Sequence, residues 1–264
     1  MHNRTANRLF VGLLLGLLAG CANPHVPLGA EDLQRLQVAG DEHDQIIYRG
    51  TVTPVGDSEP AFRYERHVAE VRAEDDHPAG QVSTHVTFGV SSDAPLLFQR
   101  ATHSPTYELE HFEEVQGQTG TVSSVTVRAD GTLRFRVQRG EEREDRSEGH
   151  GDPVVVGPTL FGFVLEHWDA LERGETLPVR FAVADQARSY AFTLRRTAAT
   201  DEATTVTLAA SDFFVSLGIE PMQLVFDRGS RRIVRYTGRV PPLLDGRDAF
   251  DAVVDYRFDA QTYR

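Results

Sequence analysis

From Gln45 onward the chain alternates with a period of two. Val82, Thr84, Val86, Phe88 and Val90 alternate with Ser83, His85, Thr87 and Gly89, and Leu133, Phe135 and Val137 with Arg134, Arg136 and Gln138. Tyr190, Phe192 and Leu194 repeat the pattern, as do Val254, Tyr256 and Phe258. Successive side chains of a strand point to opposite faces, so such runs predict strands with one face on a core and one in water. On that reading His85 sits on the polar side of its strand. Strands are expected near 45–54, 62–73, 81–90, 96–103, 106–116, 121–129, 132–139, 177–184, 189–197, 204–209, 222–227, 231–239 and 251–259. Asp130-Gly131 between two runs is the strongest short hairpin signal. Asp227-Arg228-Gly229 predicts a second tight hairpin, and Ala73–Gly80 a longer connection. The charged segment 140–153 reads as a loop.

One helix interrupts the alternation. Thr159 to Arg173 places Leu160, Phe161, Val164, Trp168 and Leu171 on one stripe at helical spacing. Pro158 favours its start and Gly174 its stop. A shorter helix is expected from Ser211 to Leu217, and another brief one from Glu31 to Val38. An antiparallel sheet of ten or more strands curls, splits or closes because strands twist. The expected fold class is therefore mainly β: a large curved antiparallel sheet or incomplete barrel, with one covering helix over about 158–173.

The N-terminus carries a different kind of signal. Arg4 and Arg8 precede an apolar run from Leu9 to Ala19, the layout of a secretory signal peptide. A membrane span needs about 20 apolar residues, more than this run supplies. The run ends in Leu18-Ala19-Gly20-Cys21, which resembles the lipobox of bacterial lipoproteins. The resemblance implies cleavage before Cys21, diacylglycerol on its sulfur and acylation of the new N-terminus. With Ala22 after the cysteine, it implies sorting to the outer membrane, facing the periplasm. The expected organisation is a signal peptide over 1–20, a lipidated tether over 21–40 and a single β-rich domain over 41–264.

Composition narrows the chemistry. The sequence has no lysine, and all 27 basic residues are arginines. Schiff-base lysines, phosphate-loop lysines and Ser–Lys dyads are excluded. Cys21 is the single cysteine; once it is lipidated, no thiol remains for catalysis, disulfides or metal. Without residues 1–20 the chain carries 25 arginines against 39 acidic residues, a formal charge of −14. That balance argues against nucleic acid as a partner. The expected membrane contact is through acyl chains, not basic residues.

A second resemblance lies in the C-terminal half. The helix is followed by Gly174-Glu175-x-Leu177, hairpin strands, then Phe226-x-Arg228-Gly229 and Arg235-Tyr236-x-Gly238. This order is similar to a group of periplasmic proteins with a curved β half-barrel, of the type found in the LolA/LolB lipoprotein carriers and receptors. It covers roughly residues 155–260 and implies fold alone; its motifs are turns and core positions, so it carries no functional residue.

No residue constellation announces catalysis. The ten histidines are scattered, with no pair at metal-binding helical spacing. Paired acids such as Glu113-Glu114 and Glu141-Glu142 read as solvated surface. No nucleophile-elbow motif is present, although Ser, His and Asp all are. No cofactor or metal is expected. The aromatic residues concentrate in the second half, and they either fill a core or line an apolar cavity. Phe161, Trp168, Tyr190, Phe192 and Phe226 are the candidate ligand-binding residues, with Cys21 the lipidation site. The expected function is non-enzymatic: an anchored envelope protein binding a hydrophobic ligand or an envelope protein partner. An envelope hydrolase using His, Asp or Glu is the first alternative, and a structural envelope component the second.

Overall fold

The computed structural model describes residues 45–71, 80–211, 220–245 and 248–258. Cys21, the tether, the brief helix Glu31–Val38, and nearly all of both the connection Ala73–Gly80 and the helix Ser211–Leu217 lie outside the described residues.

Among the described residues, fifteen strands form a single sheet. β1 (Gln45–Pro54), β2 (Phe62–Val71), β3 (Gly80–Gly89) and β4 (Pro95–His103) begin an antiparallel meander. It continues through β5 (Leu109–Gln116), β6 (Thr121–Val127), β7 (Thr132–Arg139) and β8 (Glu142–Gly149). A second meander runs from β10 (Thr176–Val183) through β11 (Arg188–Ala199), β12 (Ala203–Ala210), β13 (Met222–Asp227) and β14 (Ile233–Leu244) to β15 (Asp248–Phe258). β1 pairs with β15, Val52 opposite Val254, and so joins the two. A two-residue β9 (Val154–Val155) adds in parallel to β10. The first and last strands thus lie mid-sheet, and the middle of the chain supplies both edges.

The two edges meet through side chains. Leu109, Phe112, Leu133, Phe135 and Val137 pack with Val154, Ala182 and Ala187 from the opposite end of the sheet. Glu148 on β8 accepts hydrogen bonds from the Ser189 backbone N–H (2.8 Å) and from Ser189 Oγ, and lies 3.9 Å from Arg180. Arg139 donates to the Asp185 carbonyl. Since β8 and β9 stand at opposite ends of the strand order, the result is an incomplete barrel whose seam is closed by packing and charge.

Two helices cover the concave side, α1 (Gly157–Glu166) and α2 (Trp168–Glu172). Leu160, Phe163, Val164, Trp168 and Leu171 join Val179, Leu194, Val206, Leu224 and Ile233 in the main core. Each such side chain contributes about 1.5–3 kcal/mol when fully buried. The single helix expected over 158–173 is broken at His167, whose φ of −98° and ψ of 17° leave the helical range. Its Nδ1 lies 2.9 Å from the Phe163 carbonyl and its ring stacks on Phe163 at 4.1 Å. This local contact holds the side chain back along α1 and lets α2 restart at Trp168.

Three other expectations change. The segment expected as a loop over 140–153 contains β8, an edge strand with almost every side chain exposed. It has no apolar face to reveal itself; cross-strand charge pairing, with Arg134 and Arg136 of β7 against Asp145, marks its register. β5 begins at Leu109 because Tyr107 takes a left-handed turn, with φ of 60°. That turn lays Tyr107 against His103 at 4.8 Å and over Gly162 of α1, where a Cβ would stand 1.9 Å from the ring. Most consequentially, β3 buries groups on both faces. Ser83 and Thr87 are buried and His85 lines the cavity, while on the other face Val82 is buried and Val86 packs with the buried Phe98 and Val115.

Candidate functional site

A cavity of about 740 Å³ lies inside the curl of the sheet, bounded by α1 on one side. Its size falls within the ~300–1,000 Å³ typical of small-molecule sites. One part of its lining is apolar and aromatic, from Phe161, Phe181, Tyr190, Phe192 and Met222. Phe181 and Phe192 meet edge to face at 6.1 Å, and Phe161 meets Tyr256 in the same way at 5.4 Å. β10 and β11 alternate as the sequence predicts, and the curl turns these inward faces toward α1.

The opposite part of the lining is polar, and its residues stand in one row across four strands. Arg66 of β2 is paired in register with His85 of β3, His85 with Gln99 of β4, and Gln99 with Glu114 of β5. Same-face partners on neighbouring strands bring their side chains together. Gln99 Nε2 donates to Glu114 Oε2 at 2.6 Å. Tyr64, one pleat along β2 from Arg66, meets the His85 ring edge to face at 4.4 Å.

Burial sets the charge of this row. It pushes His85 down to about 3, assisted by the Arg66 charge, so the imidazole is neutral. It pushes Glu114 up to about 7, with the Asp185 carboxylate adding repulsion. The hydroxyl of Tyr64 is driven well above its ordinary value, again mainly by burial, so it remains a donor. Arg66 is 7% exposed, its guanidinium lying 5.5 Å over the Phe161 ring and 5.7 Å over Tyr48. Among the described residues it forms no ion pair, and its Nε has no hydrogen-bond partner. The Tyr64 hydroxyl and Gln99 Oε1 are likewise buried without partners.

Of the candidate residues named from sequence, Phe161, Tyr190 and Phe192 line the cavity. Trp168 and Phe226 do not. They pack on each other edge to face at 5.5 Å and are 4% and 0% exposed, in the solid part of the core under α2. Sequence reading missed Arg66, His85, Gln99 and Glu114. One signal was available: Arg66 shares a face of its strand with Phe62 and Tyr64, an arginine where the period demands an apolar residue.

A nucleophile-like pair lies outside this cavity. Ser83 Oγ is 2.9 Å from His103 Nε2, and His103 Nδ1 is 2.8 Å from the Ser104 carbonyl. Both residues are fully buried, with Tyr107 stacked on the imidazole. No group of three or more metal-ligating side chains occurs among the described residues. No helix among them is long and apolar enough to cross a membrane.

No family model matches the chain, and no curated protein matches it. Among solved structures it is similar to the crystal structure of a β-barrel-like protein of domain of unknown function DUF1849 from Brucella abortus. The two share 11% identity at a TM-score of 0.46, over 81% of this chain and 98% of that one.

Proposed function

We propose that this protein is a non-enzymatic, lipid-anchored component of the bacterial envelope that holds a hydrophobic ligand inside its incomplete barrel. One observation carries the reading: α1 stands off the sheet over Phe181, Tyr190 and Phe192, leaving a cavity of about 740 Å³ with aromatic walls. Under α2 the same curl is filled by Trp168 and Phe226. Apolar surface left facing such a space favours an apolar occupant, at roughly 0.8 kcal/mol per buried methylene before the costs of association. Cys21, by its lipobox-like setting, would tether the barrel to the outer membrane with its opening in the periplasm.

The hydrolase alternative has less support. His85 is held neutral by burial, and Glu114 is engaged by Gln99 rather than by a nucleophile. The Ser83–His103 pair has hydrogen-bond geometry but no path for a substrate.

Binding of the neutral dye N-phenyl-1-naphthylamine tests the ligand reading. Saturable fluorescence enhancement at one site per chain is expected, lost in Phe192→Arg while far-ultraviolet circular dichroism is unchanged. Non-saturable enhancement, or equal enhancement in the variant, would contradict it.

A further inference from the structure

The cavity's polar row gives its ligand a second chemical requirement. We propose that Arg66, flanked by Tyr64 and His85, is the head-group site for an amphiphile with a single acidic head, a carboxylate or a phosphate monoester. The inference rests on the hydrophobic-ligand reading and narrows it to a class.

A guanidinium is always charged, and removing it from water without a partner costs several kcal/mol. Proteins rarely leave such a group unpaired. Arg66 is nearly fully buried and lines the cavity, with no ion pair among the described residues and a buried Nε that has no hydrogen-bond partner. The rings of Tyr48 and Phe161 lie within cation–π range of the guanidinium carbon. Those contacts hold the group in place without consuming its N–H donors, which are suited to bidentate binding of a carboxylate or phosphate.

The neighbours fit the same head. The Tyr64 hydroxyl is a buried donor with no partner. His85 is neutral and stands beside Arg66 in register, so it adds no competing positive charge. Glu114 is the nearest acid along the row, but it lies two strands beyond His85 and is hydrogen-bonded to Gln99. Phe161 contacts the guanidinium and also lines the apolar wall. A molecule seated on Arg66 is therefore in contact with aromatic surface at once, which a free inorganic anion could not exploit.

The test measures affinity of the chain from residue 22 onward, which contains every described strand, by isothermal titration. Dodecanoate and dodecyl phosphate are compared with dodecanol, and with acetate and inorganic phosphate. At least one acidic amphiphile is expected to bind roughly ten- to hundredfold more tightly than dodecanol, the margin of a charge-assisted hydrogen bond. Acetate and phosphate alone should bind far more weakly. Arg66→Met should abolish the preference, so that the acids bind no more tightly than dodecanol does to the same variant, and Arg66→Lys should restore only part of it. Dodecanol binding as tightly as the acids in the wild type would overturn the head-group proposal and leave the hydrophobic-ligand reading standing. Acetate or phosphate matching the amphiphiles would overturn it in favour of a simple anion site. Failure of every amphiphile, dodecanol included, would overturn both readings. The wild-type series decides without the variants, should Arg66→Met fail to fold.

Discussion

Glu114 shows at the scale of one residue how the cavity couples to pH. Unfolded, its carboxyl titrates near 4.5; folded, burial holds the proton up to about pH 7. Between those values the folded state binds more protons than the unfolded one, so Glu114 makes stability fall as pH rises. His85 acts in the opposite sense, because its folded value of about 3 lies below the ordinary 6.5 and stability falls as pH drops through that window. Over the range where the windows overlap, the two largely cancel in the wild type. Glu114→Gln removes only the first. The stability of the variant relative to wild type should therefore increase between about pH 4.5 and 7 and be constant on either side. Urea melts at a series of pH values measure it; a difference independent of pH would place Glu114 in water. Trp168 makes a separate prediction, since it is buried against Phe226. Trp168→Ala should cost about 3–5 kcal/mol, the range for truncating a large core aromatic. Circular dichroism in denaturant reads this, and an unchanged midpoint would put the side chain at the surface.

At the scale of elements, the seam between the sheet's two ends is where stability is most exposed to single charges. Glu148 on the edge strand β8 accepts two hydrogen bonds from Ser189 and faces Arg180. Hydrogen bonds to a charged group are worth about 1.5–3 kcal/mol, less where water competes. Glu148→Ala should destabilise the fold by about 1.5 kcal/mol, seen as a lower urea midpoint, and loosen β8 first. Hydrogen exchange resolved along the chain would show protection lost over 142–149; a uniform loss, or none, would contradict a side-chain seam. The elements also show what was legible in the sequence. Strands with one apolar and one polar face, such as β7, β10 and β11, were readable because burial is what writes the period. The hairpin turns at Asp130-Gly131 and Asp227-Arg228-Gly229 were readable from turn chemistry. β8 was not, because an edge strand with both faces in water carries no hydrophobic pattern. β3 was found, but its polar face was not expected to be inside: a strand whose one face lines a polar cavity has the alternation of a solvated one, and one sequence does not say whether the polar face meets water or a cavity.

For the whole molecule, the curl of the sheet decides what the interior does. Where α2 meets β11, Trp168 and Leu171 fill the space; where α1 lies, they give way to a cavity. The sequence supplied the aromatic set but could not divide it between these fates, since Phe161, Tyr190 and Phe192 are the same residue types as Trp168 and Phe226. The polar row escaped notice for a related reason. Arg66, His85, Gln99 and Glu114 are widely spaced along the chain, and only the pairing of β2 to β5 lines them up. The proposed anchor belongs to this scale too, because it would fix where the barrel works. Cys21→Ser should abolish labelling by radioactive palmitate, and equal labelling of wild type and variant would remove the lipoprotein reading. The central claim, that the barrel's interior is a ligand site rather than core, is tested most directly by native mass spectrometry of the protein isolated from its own cells. The account predicts a non-covalent adduct of an apolar or amphiphilic molecule, lost in Phe192→Arg. A chain that carries no adduct and takes up none when offered an excess of amphiphile would contradict it.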